Sequence, residues 1–303
     1  MSVSCVRLAD EGPEVSRLVY GLWRLADWEY TTAELADHLT ACLEMGVTTF
    51  DHADIYGDYQ CEELFGRVLE QRPDLREEME LISKCGIKLV SESRPDHRLK
   101  HYDTSTDHIL ESVENSLEHL RTDYLDLLLI HRPDPLMDPH AVAEAFYRLR
   151  EDGRVRHFGV SNFTPSQYRL LDQVLDVPLV TNQVELSVLA REGFVDGTVD
   201  QLLQRGRSPM AWSPMGGGDL FTKETRHEAR VRDALRKVGE ELGGYEMDQV
   251  ALAFLLRHPA DVVPIIGTGK QRRIERAVEA MDLELSREQW YVIWEASRGK
   301  PVP

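Results

Sequence analysis

Cysteine is scarce in this 303-residue chain: the four present, Cys5, Cys42, Cys61 and Cys85, are scattered, with no CxxC pair. That argues against a disulfide framework or a thiolate zinc site and suits reduced thiols in a cytoplasmic protein. Long apolar runs are also missing, and none approaches the roughly 18–20 residues that a bilayer demands. The opening MSVSCVRLADEG lacks the basic and then apolar layout of a secretory leader. Positive charge is in deficit. With 35 Lys and Arg against 53 Asp and Glu, the formal net charge is −18, which argues against nucleic acid or an anionic membrane as partner. Any phosphate held by such a chain needs a local positive pocket. No Pro/Gly/Ser-rich linker divides the sequence, and no short-period repeat runs through it.

What is present is alternation. Short β-rich apolar runs occur at VYGLW (19–23), TTFDHA (48–53), ELISKCGI (80–87), YLDLLLIH (124–131), VRHFGVSN (155–162), LVTNQVEL (179–186), PMAWSP (209–214) and VVPIIG (262–267). Between them lie stretches of helical period such as 33–46, 108–121 and 141–152, with Thr32 placed to cap the first and Gly46 and Gly153 to end helices. Eight strand–helix units predict one α/β domain over residues 1–303, a parallel sheet closed into a (β/α)8 TIM barrel. The first 18 residues read as a β-hairpin over the barrel floor. Residues 286–299 read as an extra C-terminal helix, whose Trp290, Tyr291 and Trp294 pack on the barrel or form a self-contact. The chain is expected to be a monomer or a weak homo-oligomer.

In such a barrel, chemistry gathers at the carboxyl ends of the strands. Those ends carry Asp51 and Tyr56, then Lys84, then His131, then Ser161 and Asn162, Asn182 and Gln183, and Trp212 and Ser213. Lys84 and Asp51 lie inside apolar strands, where an unpaired charge costs several kcal/mol, so an ion pair between neighbouring strands is expected. An ammonium beside Tyr56 would lower its phenol toward the working range, making it a proton donor. His131 can orient the same substrate oxygen. This group suits protonation of a carbonyl oxygen, and the hydride for the carbon must come from a cofactor.

The blocks FDHADIYG, LISKCG, LLLIHRPD, GVSNF, TNQVELS, AWSPMGGG and PIIGTGK stand in the order and spacing of the aldo-keto reductases, which the chain resembles over residues 17–285. The likeness is greatest to short-loop bacterial members. The resemblance implies that Asp51, Tyr56, Lys84 and His131 form the family's catalytic tetrad and that NADP(H) is the hydride carrier. It implies a small-molecule carbonyl substrate reduced to an alcohol, reversibly. Gly21, Leu22 and Trp23 match the nicotinamide edge of the pocket, and Ser161, Asn162 and Gln183 match residues holding the carboxamide. Trp212 matches the stacking aromatic, while Ser213, Met215, Gly216, Gly217 and Gly218 match the pyrophosphate segment. Gly267 leads into a helix start where Thr268, Lys270, Arg272 and Arg273 suit a 2′-phosphate, and the resemblance supports Thr268 and Arg273 there by position and Lys270 more loosely. GxGxxG is absent, so a Rossmann mode is not used.

Some positions depart from the family pattern. His52 replaces a usual threonine and reads as a packing residue, with Asp54 bonding within its loop. Arg276 and Ala277 stand where an adenine-gripping pair is usual. The connection 88–107 is long for a βα loop, and its Arg94 or Arg98 could attract an anionic substrate. Two rival classes stay open: a metal-dependent hydrolase, disfavoured because YGLW stands where an HxH motif is wanted and no metal is expected, and an NADP(H)-binding redox sensor with little turnover.

Overall fold

The computed structural model describes residues 2–303. The chain opens with a hairpin of β1 (Cys5–Arg7) and β2 (Glu14–Ser16), paired antiparallel. Eight parallel strands then close a barrel: β3 (Val19–Gly21), β4 (Thr49–Asp51), β5 (Glu80–Cys85), β8 (Leu125–Ile130), β9 (Val155–Ser161), β10 (Leu179–Glu185), β11 (Met210–Trp212) and β12 (Val263–Ile266). A second hairpin, β6 (Ile87–Lys88) with β7 (His101–Tyr102), sits in the long connection after β5. Every predicted strand is present, trimmed by a residue or two at its ends. Among the described residues no helix is long and apolar enough to cross a membrane.

The barrel interior is filled by alternate residues, Val19, Ile82, Leu127, Leu129, Val180, Met210, Val263 and Ile265. Leu8, Ala9 and Val15 of the first hairpin join that cluster from below and plug the floor. The hairpin is tied down by Ser16 N–H to Thr49 Oγ1 (2.8 Å) and by Ser208 N–H to Leu8 O (2.9 Å), both near strand starts. The opposite end is left for chemistry. The alternation breaks once: β10 shifts register against β9 between Leu179 and Asn182. That irregularity lets Val180 and Gln183, three apart, both face inward.

Local signals explain the helix boundaries. Thr31, not Thr32, caps the first long helix (Thr32–Glu44), because Glu34 closes a reciprocal capping box with it. Ser286 and Gln289 do the same for the last helix (Arg287–Arg298), which ends on Gly299 in the left-handed region. Trp290 of that helix stacks on Phe254 (4.8 Å between centroids, 9° between planes) and donates its Nε1–H to the Phe254 carbonyl. Trp290 and Trp294 are thus spent on the barrel's own outer layer, and Tyr291 stays 40% exposed.

His52 alternates outward from Asp51, as expected of a packing residue, and its ring meets Phe65 edge-on at 4.6 Å. It is fully buried, and neither ring nitrogen finds a partner. Burial, helped by the Lys84 charge, drives its pKa down to about 3 from an ordinary 6.5. A folded pKa below the unfolded one means the unfolded chain takes up the proton first, so His52 costs stability as pH falls from 6.5 toward 3. We predict that His52→Leu retains more of its pH 7 stability at pH 5 than the parent does, by up to about 2 kcal/mol at ~1.4 kcal/mol per pH unit. Urea unfolding at the two pH values measures this.

Candidate active site

β4 ends on Asp51 and the chain then turns sharply through Tyr56. Gly57 and Asp58 both adopt left-handed backbone there. Gly57 has no alternative: a Cβ would lie 2.5 Å from Cys61 Sγ and 2.9 Å from Ala26 Cβ. The turn therefore fixes the half-buried Tyr56 over the barrel mouth. Lys84, near the end of β5, extends its stem inside the barrel and is 1% exposed.

Its ammonium has three N–H donors and uses all three. They reach Asp51 Oδ2 (2.7 Å), the His52 carbonyl (2.6 Å) and the Tyr56 hydroxyl (3.0 Å). The other Asp51 oxygen accepts from Gln183 Nε2 at 2.8 Å, so the carboxylate ties β4 to β10 across the barrel. Burial alone would pull the Lys84 pKa down, yet Asp51 and Tyr56 hold it above its ordinary value. The site keeps a charged ammonium.

The expected direction for the Tyr56 phenol is overturned. Burial, with Asp51 adding to it, outweighs the downward pull of Lys84 and Arg132, and the phenol ends above its ordinary value. The pull from Lys84 is present as expected; the cost of removing an anion from water was underweighted. His131 stands edge-on to Tyr56, 5.8 Å between ring centres, with its Nδ1 buried and unpartnered. Burial first, then the charges of Lys84, Arg132 and Lys100, hold its pKa well below 6.5, so the imidazole is neutral at pH 7.

The neighbouring strand ends converge on the same mouth. Asn162, in left-handed conformation, donates to Ser161 Oγ (2.7 Å) and the His131 carbonyl (3.3 Å) and accepts from Trp212 Nε1 (2.9 Å). Ser161 Oγ in turn donates to the Gln183 carbonyl (2.8 Å). Asn182 is outside this chain of bonds and grips the Phe163 backbone. Leu22 is buried, with its N–H on the Asp51 carbonyl (3.0 Å), while Trp23 is 57% exposed at the rim. After β11, Ser213 is left-handed, Met215 is half-buried and Gly216–Gly218 form a tight turn, whose Gly217 carbonyl accepts from Arg24.

Beyond β12, Gly267 is exposed and leads into a turn braced from below. The Tyr20 hydroxyl donates to the Thr268 carbonyl (2.6 Å), and the Tyr30 hydroxyl donates to that of Gly269. His38 Nε2 lies 2.8 Å from the Tyr20 oxygen, which has already used its proton, so His38 carries a hydrogen on Nε2. Above this brace Lys270, Arg272 and Arg273 are exposed, with no ion-pair partner among the described residues. Arg276 is paired with Asp248 and is not free for a ligand.

Sequence reading missed the Gln183–Asp51 bond, the tyrosine brace and Arg132, whose guanidinium lies 5.6 Å from the Trp212 ring. The irregularity in β10 hides the first, because period-two counting sends Gln183 outward. Arg94, one of two arginines that could have attracted an anionic substrate, lies over the Tyr59 ring (4.8 Å) and lines a lateral cavity of about 330 Å³ that none of Asp51, Tyr56, Lys84 or His131 lines. Arg98 is exposed and does not line that cavity. Asp54, expected to bond within its loop, instead accepts with one oxygen from Ser112 on the helix Thr106–Leu120 at 2.8 Å, and the other oxygen is buried without a partner. No group of three or more His, Cys, Asp or Glu is arranged for a metal ion among the described residues.

A family model described as "Aldo/keto reductase family" matches residues 17–298. The chain belongs to that family. Members bind nicotinamide coenzymes, and the chain is an oxidoreductase by this membership. It is 51% identical to the uncharacterized oxidoreductase YcsN of Bacillus subtilis, across 98% of this chain and 99% of that one. It is 43% identical to the 6-dehydroglucose reductase of Agrobacterium fabrum, across 95% and 96%. The crystal structure of the thermostable aldo-keto reductase Tm1743 superposes with a TM-score of 0.82 at 26% identity, covering 97% of this chain and 99% of the other.

Removing one partner of a buried ion pair strands the other charge, at a cost of about 3–5 kcal/mol. We therefore predict that Lys84→Met, which keeps the apolar stem, lowers unfolding stability by that order in urea titrations. A change below about 1 kcal/mol would show that the pair carries no such strain.

Proposed function

We propose that this aldo-keto reductase reduces a small aldehyde or ketone to the alcohol with NADPH, Tyr56 acting as proton donor. The observation that carries the reading is the fully used Lys84 ammonium, held between Asp51 and the Tyr56 hydroxyl. A phenol that stays protonated at neutral pH, yet has a cation waiting for the phenolate, is a competent general acid. The neutral His131 can offer an N–H to the substrate oxygen and fix its position.

The residues present fit a dinucleotide. Gly217 and Gly218 have open space where a Cβ would project, so a pyrophosphate can approach the backbone. The unpaired Lys270, Arg272 and Arg273, at the start of the helix Gln271–Glu279, suit a 2′-phosphate, which favours NADP over NAD. Ser161, Asn162 and Gln183 offer amide and hydroxyl groups for a carboxamide, and Trp212 offers a ring for stacking. Gly21, Leu22, Trp23, Ser213, Met215, Gly216, Gly267 and Thr268 complete the proposed contact surface.

When bound, the coenzyme supplies hydride to the carbonyl carbon. The C=O π pair moves onto oxygen, which takes the Tyr56 proton. Lys84 stabilises the phenolate left behind, and water restores its proton. The name of the Agrobacterium relative puts 6-dehydroglucose in the first substrate panel.

The test is Tyr56→Phe. Loss of a general acid is worth roughly 10²–10⁴ in rate, so carbonyl reduction should fall by at least about a hundredfold while NADPH affinity, read by protein fluorescence, stays within a few-fold. Retained turnover would remove Tyr56 from this role. Tight NADPH binding by the parent, without turnover of any aldehyde or ketone in a broad panel, would favour the sensor reading.

A further inference from the structure

The turn 267–270 rests on a buried aromatic floor. Tyr20, fully buried on β3, donates its hydroxyl proton to the Thr268 carbonyl at 2.6 Å. Tyr30, just before the first long helix, donates to the Gly269 carbonyl. Two successive carbonyls are thus held inward by side chains from different elements. The Trp28 ring packs with both tyrosines, 5.8 Å from Tyr20 and 6.1 Å from Tyr30 between ring centroids. Gly269 lies directly on that indole: a Cβ there would stand 2.8 Å from Trp28 Cγ and 3.0 Å from Cδ2. Its backbone is not left-handed, so glycine is required here by closeness and not by conformation.

A trans peptide sets its N–H opposite to its C=O. With the Thr268 carbonyl turned into the floor, the Gly269 N–H points away from it. That N–H has no acceptor among the described residues, and neither have those of Gln271 and Arg272, the first two residues of the helix Gln271–Glu279. The Lys270 N–H reaches only Thr268 Oγ1, at 3.3 Å. Three amides without acceptors therefore share one short segment with the exposed side chains of Lys270, Arg272 and Arg273.

We propose that Tyr20, Trp28 and Tyr30 are positioning residues for coenzyme choice, holding the turn so that its outward amides and cations read the 2′-phosphate of NADP(H). This rests on the NADP(H) reading above and names the residues that enforce it. They act through the backbone of the turn and not through a contact of their own. Amides fixed in direction lose little conformational freedom when an anion arrives. Without the two hydroxyls, the carbonyls of 268 and 269 are free to swing outward, which would set negative dipoles beside the phosphate.

The experiment measures dissociation constants of NADPH, NADH, adenosine 2′,5′-bisphosphate and 5′-AMP by calorimetry, with unfolding midpoints alongside. The proteins are the parent, Tyr20→Phe, Tyr30→Phe, the double variant and Gly269→Ala. The double variant is expected to lower the NADPH-to-NADH affinity ratio about tenfold, the effect of weakening one charge-assisted hydrogen bond. Gly269→Ala lifts the turn off Trp28 while leaving both hydroxyls in place, and should lower the same ratio even if the tyrosine variants do not fold. The bisphosphate-to-AMP ratio should fall in step, since those two probes differ only in the 2′-phosphate. A lower unfolding midpoint with both ratios unchanged makes the floor structural only and overturns the proposal. Equal weakening of NADPH and NADH overturns it too. A parent that binds NADPH no more tightly than NADH removes the NADP(H) reading and this inference with it, a result visible before any variant is made. Every readout is binding, so the test does not depend on turnover of a carbonyl substrate.

Discussion

The Lys84 ammonium is the group on which the site depends. Placed inside a barrel and stripped of water, it is held by three oxygen acceptors from the segment 51–56 and returns the favour by fixing them. A cation in such surroundings survives only if its counter-charge is equally fixed. Gln183 does that for Asp51 from the opposite side of the barrel. The carboxylate thus links three strands, β4, β5 and β10, and makes the geometry of this site a property of barrel closure rather than of one loop. The phenol sits at the wet edge of this arrangement, where removal of its proton is opposed by burial and eased by the ammonium.

The rest of the fold frames that mouth by closing the barrel floor and the outer wall. The first hairpin fills the floor, the last helix covers the outer wall with stacked tryptophans, and the tyrosines Tyr20 and Tyr30 pull the carbonyls of Thr268 and Gly269 inward. Above those occupied carbonyls, Lys270, Arg272 and Arg273 stand exposed, with no ion-pair partner among the described residues. Buried polar atoms without partners include His131 Nδ1 at the mouth and, away from it, both ring nitrogens of His52 and one oxygen of Asp54. Away from the mouth no catalytic role follows: the neutral His52 is a tolerated cost.

Much of this was legible in the sequence because its physics is local or periodic. The strands announced themselves as short apolar runs, and the Lys84–Asp51 ion pair followed from two charges interrupting them. The hairpin and final helix also stood where composition put them. Three things were hidden. The cap at Thr31 was displaced by one residue because the reciprocal bond from Glu34 decides it. The inward turn of Gln183 depends on a register shift that no pattern of period two reveals. The net direction of the Tyr56 phenol depends on a balance between dehydration and a neighbouring cation, and spacing alone gives only the second term. The place of Arg94 was also hidden: a long charged loop can read as a solvated loop or as a neighbour of the mouth, and Arg94 lies over the Tyr59 ring.

The central claim is that Lys84 remains an ammonium despite its burial. Side-chain 15N NMR of lysine-labelled protein, following the Lys84 resonance from pH 6 upward, tests it directly. The account predicts a slowly exchanging, charged NH3 signal that does not titrate below the ordinary lysine value of 10.5. A transition to the neutral amine below that value would mean that dehydration outweighs Asp51 and Tyr56, and would contradict the account.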